Sequence, residues 1–223
     1  MKINVVENAR NLECDVLVVN KFENEVTTSE IANKYAIEED KFEGKLGETY
    51  VLPTYGQECH RKVIIIGFGK KEEFNSNKFR EAIVKSVKKA MSIEAKTVAF
   101  KLNGVEFDYS EQFAIGVRIA DYKFDKYKSE KKDKGINVVY VEACEHVVRK
   151  AEKIADAMAF TRNLANEPAQ FATPSELASI ACDLGLDTKI YEKDEIEKMG
   201  MGAFLAVGRG SSEAPKFIHM KYT

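Results

Sequence analysis

The chain has 223 residues, with 34 lysines and arginines against 36 aspartates and glutamates for a formal net charge of −2, a length that fits one large domain or one domain and part of a second. A hydrophobic fraction of 44% supplies a sizeable core and excludes disorder over the whole chain. The balanced charge argues against nucleic-acid binding by bulk electrostatics, no run approaches the roughly 18 apolar residues of a membrane span, and Met1-Lys2-Ile3-Asn4 leads into charge instead of a signal-peptide core, so the reading is a cytoplasmic protein.

Short apolar, β-branched runs at 3–6, 15–19, 49–52, 63–66, 97–100 and 138–141 predict strands. Amphipathic stretches alternate with them, the pattern of an α/β domain. Several runs are continuously apolar, as in strands covered on both faces. A helix is predicted over 76–91, where Phe79, Ile83, Val87 and Ala90 form one stripe behind Ser76 or Asn77 as cap. A second is predicted over 110–127, burying Phe113, Val117, Ala120, Phe124 and Tyr127, and it empties into a lysine-rich solvated loop at 128–134.

The next helix is longer. From Glu145 to Asn166, Val147 or Val148, Ala151, Ile154 or Ala155, Met158 and Arg162 keep helical spacing over about 30 Å. It stops at Asn166-Glu167-Pro168, where proline restricts the residue before it, and its length and position suit an interdomain connector. Thr173-Pro174-Ser175-Glu176 then reads as a capping box with proline in the first turn. Its helix ends at Gly185, a strand follows at 188–191, a short helix at 193–199 closes on Gly200, and a last strand spans 216–222. Such a half-built α/β unit leaves apolar residues without a partner layer, and the expectation is that the natural protein continues past Thr223.

Chemistry-bearing residues are sparse. The four cysteines, Cys14, Cys59, Cys144 and Cys182, form no CxxC pair and fit reduced thiols. Gly67-Phe68-Gly69 follows a strand but lacks the third glycine of a dinucleotide turn, and Gly208-Arg209-Gly210-Ser211-Ser212 lacks the Gly-Lys ending of a phosphate loop; both read as plain loops. His60 beside Cys59, His146 two residues after Cys144, and His219 have no spacing that puts two ligands on one helix face, and read as surface or half-buried residues without function. No G-x-S-x-G elbow exists. The residues alone compose no catalytic, cofactor-binding or metal site.

Two stretches nevertheless resemble a known family. Gly116-Val117-Arg118-Ile119-Ala120-Asp121-Tyr122-Lys123-Phe124-Asp125-Lys126-Tyr127-Lys128 resembles the late N-terminal domain of the leucyl (cytosol) aminopeptidase family. Thr161-Arg162-Asn163-Leu164-Ala165-Asn166-Glu167-Pro168, Thr173-Pro174, Met199-Gly200-Met201-Gly202-Ala203-Phe204-Leu205-Ala206-Val207-Gly208-Arg209-Gly210-Ser211, Ala214-Pro215-Lys216-Phe217-Ile218 and Tyr222 follow that family's linker and the opening of its catalytic domain.

The resemblance implies an α/β macro-domain-like N-terminal domain at 1–144, with a mixed sheet flanked by helices. A linker helix at 145–167 and the incomplete start of a zinc-exopeptidase-like catalytic domain at 168–223 follow. It implies a two-metal aminopeptidase removing N-terminal residues from peptides, with two Mn²⁺, Zn²⁺ or Mg²⁺ ions in the full-length enzyme, and a homo-hexamer with the N-terminal domains at its periphery. The family's metal ligands, a lysine and several carboxylates, follow the strand ending here at Tyr222, as does the arginine that binds bicarbonate. No position here matches them, so no catalytic, cofactor or metal residue is carried over and this stretch is expected to be inactive, with a structural or oligomerisation role. The alternative is a nucleotide or ADP-ribose binding module with Gly67-Phe68-Gly69 at the phosphates. Against it, Asn20-Lys21-Phe22-Glu23 lacks the small, asparagine-rich loop of macro domains. The net charge gives no support to the DNA binding known of some members, and neither nucleic acid nor membrane is an expected partner.

Overall fold

The six apolar runs become strands of one sheet: β1 (Lys2–Val5), β2 (Cys14–Lys21), β3 (Thr49–Pro53), β4 (His60–Gly67), β5 (Thr97–Lys101) and β6 (Val138–Val141). They stand in the order β1-β6-β5-β2-β4-β3, parallel at every neighbour except β3, which runs antiparallel to β4. The mixed α/β architecture predicted above is the one observed. The computed structural model describes residues 1–24, 42–105, 108–130 and 135–222, and these divide into two compact units, Met1–Phe160 and Thr161–Thr223.

In the first unit the steps from β4 to β5 and from β5 to β6 move the same way across the sheet, and right-handed crossovers then put both connecting helices on one face. These are α1 (Ser76–Ser92) and α2 (Ser110–Asp121). Their Phe79, Ile83, Val87, Phe113 and Val117 pack on Val16, Val18, Ile64, Ile66, Val98 and Phe100. The alternate residues Leu17, Val19, Val63, Ile65 and Ala99 face the other way and are covered by Ala9 and Phe42, which is why β2 and β4 read as unbroken apolar runs. The helix α3 (Glu145–Asn166) buries Val148, Ala151 and Ala155, so of the paired alternatives in its predicted stripe Val148 and Ala155 point inward.

Two local expectations give way. The cap of α1 is Asn75, whose side chain accepts from the amides of Asn77 and Lys78 at 3.0 and 3.1 Å; an asparagine one residue earlier outcompetes Ser76 because its longer side chain reaches two free donors. The helix α2 ends at Asp121, not at 127. Its last turn is held by the chain's own start: the Met1 amine pairs with Asp121 at 3.3 Å, and Arg118 donates to the Met1 carbonyl at 3.3 Å and to Asp156. Tyr122 then turns extended (φ −60°, ψ 129°). Phe124 and Tyr127 keep a spacing of three, but in a turn closed by the Lys128 amide on the Asp125 carbonyl. In the lysine-rich loop, Lys128, Ser129 and Glu130 are exposed, and 131–134 lie outside the described residues.

In the second unit, Thr173 caps α4 (Pro174–Asp183) by accepting from the Glu176 amide at 3.2 Å. The strands β7 (Asp187–Tyr191) and β8 (Phe217–Lys221) pair antiparallel, with the Tyr191 and Phe217 rings stacked at 5.5 Å. Between them lie α5 (Lys193–Lys198) and a helix with no counterpart in the sequence reading, α6 (Gly202–Gly208). Glycine at both ends and the absence of a capping side chain hid it. The buried hydrophobics of this unit are Ala178, Ala181 and Ile196.

Candidate functional site

In an open α/β sheet, ligands bind beyond the carboxyl ends of the strands where the chain reverses its direction of travel across the sheet. Here that point lies between β2 and β5. One side chain bridges it to the backbone after β5: the Asn20 side-chain amide donates to the Asn103 backbone carbonyl at 2.9 Å, and the Asn103 backbone amide donates back to the Asn20 side-chain oxygen at 2.8 Å. Beside them Lys101 pairs with Glu142 at 2.6 Å, while the other Glu142 carboxylate oxygen accepts from the Ala9 amide at 2.9 Å. The Tyr109 hydroxyl donates to the Glu142 carbonyl at 2.9 Å; burial raises its pKa, and the Glu142 carboxylate adds to that. Hydrogen bonds thus tie the elements on either side of the crevice together. None of these bridging pairs could be found from sequence, because 33 or more positions separate the partners and no local pattern marks them.

The glycine turn Gly67-Phe68-Gly69 spends its donors inside the protein. The amides of Gly67, Phe68 and Gly69 donate to the carbonyls of Glu48, Lys21 and Gly44 at 2.8, 2.9 and 2.9 Å. A Cβ at Gly67 would stand 2.1 Å from the Lys45 carbonyl oxygen, so glycine is there for close backbone packing. A phosphate cradle needs free amides, and these three are taken. The second glycine-rich stretch lies at the C-terminal end of α6, where the helix presents carbonyls, the wrong polarity for an anion.

The histidine neighbourhoods differ from one another. Cys144 Sγ lies 3.1 Å from His146 Nδ1, both exposed, and the Cys144 amide donates to Ser110 Oγ at 2.9 Å. The Asp108 carboxyl is held below its ordinary pKa by the Ser110 hydroxyl and amide, with a smaller contribution from His146. His219 is exposed on β8 opposite Lys189. His60, read as a surface or half-buried residue, is 2% exposed, and neither ring nitrogen has a hydrogen-bond partner. It opens β4 and faces Cys14 of β2. Burial holds its pKa below the usual imidazole value.

At the opposite, amino edge of the sheet, Asp15 ties β2 to β5 by accepting from the amides of Lys96 and Thr97 at 2.8 and 3.0 Å. Burial opposes its ionisation, but those amides, the Thr97 hydroxyl and Arg61 together outweigh burial and hold the carboxyl below its ordinary value. Among the described residues no three His, Cys, Asp or Glu side chains come together as a metal would require. These residues do not fit a two-metal centre, whose hard ions need several converging carboxylates. No helix among them is long and apolar enough to cross a membrane.

The comparisons with known proteins agree with one another. Residues 20–131 match the N-terminal domain of the cytosol aminopeptidase family, and residues 159–223 match its catalytic domain. A probable cytosol aminopeptidase of Persephonella marina is 37% identical over 202 residues, covering 82% of this chain and 40% of the relative. One from Alkaliphilus metalliredigens is 30% identical over 253 residues, covering 100% of this chain and 51% of the relative. A mutant tomato leucine aminopeptidase has the same fold, with a TM-score of 0.85 at 20% identity over 99% of this chain and 50% of that one. The bottromycin maturation enzyme BotP in complex with Mn follows at a TM-score of 0.74 and 24% identity, over 94% of this chain and 45% of that one. The chain spans about two fifths to one half of the length of these curated relatives. With both of the family's domains matched in order along it, the chain belongs to the cytosol aminopeptidase family.

Proposed function

We propose that this chain is the N-terminal domain (1–144), linker helix (145–167) and opening of the catalytic domain (168–223) of a two-metal aminopeptidase that removes N-terminal residues from peptides. Its own part is architectural. The observation that carries this reading is the order of the two family matches, 20–131 and then 159–223, on a chain covering two fifths to one half of its relatives. The lack of a converging donor set among the described residues favours placing the metal ligands in the part of the family's catalytic domain that this chain does not span. The ions would be Mn²⁺, Zn²⁺ or Mg²⁺, the assembly a homo-hexamer, and the compartment the cytoplasm.

The nucleotide-binding alternative draws no support from the site, because the glycine turn's amides are occupied and Asn20 and Asn103 bridge the crevice. Incubating the 223-residue chain with leucine p-nitroanilide and Mn²⁺ tests the proposal. Release of p-nitroaniline at the background rate is the expected result, and sustained turnover overturns the assignment of an architectural role.

A further inference from the structure

Two of the four cysteines, Cys14 and Cys59, come together at the amino edge of the sheet. Cys14 opens β2 and is buried; Cys59 immediately precedes β4 and is exposed. The β2–β4 register sets Cys14 opposite His60, so Cys59 sits one residue from the facing position. Between neighbouring regular strands about 4.8 Å apart with a rise of about 3.3 Å per residue, an offset of one residue corresponds to about 6 Å between Cα atoms, inside the roughly 4.4–6.8 Å that a disulfide spans. Both residues line one cavity of about 290 Å³, together with Glu13, Asp15, Arg61 and Thr97.

Neither sulfur is committed elsewhere by a strong bond. Cys14 Sγ donates to the Val16 carbonyl at 3.2 Å and Cys59 Sγ to the Arg10 carbonyl at 3.7 Å, and thiols are weak donors. Both also flank one loop: Ala9 packs in the same apolar cluster as Cys14, and Arg10 offers its carbonyl to Cys59. Burial pushes the Cys14 thiol up to about 11, and the neighbouring Cys59 adds to the rise.

We propose that Cys14 and Cys59 are a peroxide-oxidisable thiol pair that closes to an intramolecular disulfide across β2 and β4. The exposed Cys59 reacts first. Its thiolate sulfur attacks one oxygen of hydrogen peroxide, the O–O bond breaks, and the departing hydroxide takes up the proton lost by the thiol and leaves as water. Cys14 sulfur then attacks the Cys59 sulfenic acid: the S–S bond forms, the S–O bond breaks, and hydroxide departs with the Cys14 proton as a second water. Two thiols lose two electrons and one peroxide is reduced to two waters. Cys144 and Cys182 take no part.

The test treats the full chain with hydrogen peroxide, alkylates free thiols, digests without reduction and reads the peptides by mass spectrometry. A linked pair carrying Cys14 and Cys59, lighter than the reduced peptides by two hydrogens and released by dithiothreitol, is the expected product. The Cys59→Ser chain, altered at an exposed position that leaves the core alone, gives no link to Cys14. A thermal melt is the second readout: the long loop closed by the disulfide raises Tm by roughly 5 °C or more, reversibly. Recovery of Cys59 reduced, as sulfinic acid, or linked to Cys144 or Cys182, with Cys14 unlinked, overturns the proposal. So does the same rise in Tm in peroxide-treated Cys59→Ser.

Discussion

The two units of this chain use the same kinds of element to different ends. In the first, the sheet is apolar on both faces and every described strand of β2, β4 and β5 carries fully buried side chains, with Phe22, Phe68, Phe79, Phe100 and Phe113 interlocked edge to face or packed on the helices. In the second, a two-stranded sheet and three short helices bury two alanines and one isoleucine, while Phe204, Val207, Leu184 and Met220 remain exposed. A two-stranded sheet is marginal unless something packs on it. The first unit carries its own core; the second has the local signals of an α/β fold but a core too small to hold it firmly.

The comparison breaks first at Phe100, which is fully buried with its ring 4.9 Å from that of Phe113. Phe100→Ala costs the first unit about 3–5 kcal/mol in urea denaturation, whereas Val207→Ser, at a residue 89% exposed, changes stability by less than about 0.5 kcal/mol. Equal costs at the two positions would contradict the unequal cores. A smaller effect, of opposite sign, comes from His60. Removing two buried, unpartnered nitrogens by His60→Leu stabilises the first unit by about 1–3 kcal/mol at pH 7.5. The sign with pH follows from burial: the folded protein refuses a proton that the unfolded chain accepts below about 6.5. The parent therefore loses stability as pH falls through that range, and its gap from His60→Leu widens between pH 7.5 and 5.5. A constant gap would mean that His60 takes up its proton without cost in the fold.

The strands were legible because covered strands advertise themselves: Val16-Leu17-Val18-Val19 and Val63-Ile64-Ile65-Ile66 have no polar face to confuse the period. The caps at Thr173 and the glycine stops at Gly185 and Gly200, both at positive φ, were legible for local stereochemical reasons. What escaped depends on distant partners. The end of α2 is set by Met1, more than a hundred residues away, against a Phe124–Tyr127 spacing that still reads as helical. The burial of His60, the Asn20–Asn103 bridge and the meeting of Cys14 with Cys59 all follow from the order of strands in the sheet, which a single sequence does not print. The sequence read Gly67-Phe68-Gly69 as a plain turn, and the structure adds a physical reason, since its three amides donate to protein carbonyls.

The difference between the two units is most directly measured by hydrogen exchange of the full chain, read segment by segment. Amides of β2, β4 and β5 should exchange only through global opening of the first unit, while those of β7 and β8 exchange at least about a hundredfold faster. Equal protection in β7–β8 and β2–β4–β5 would contradict the account, since it would give the second unit a core as complete as the first.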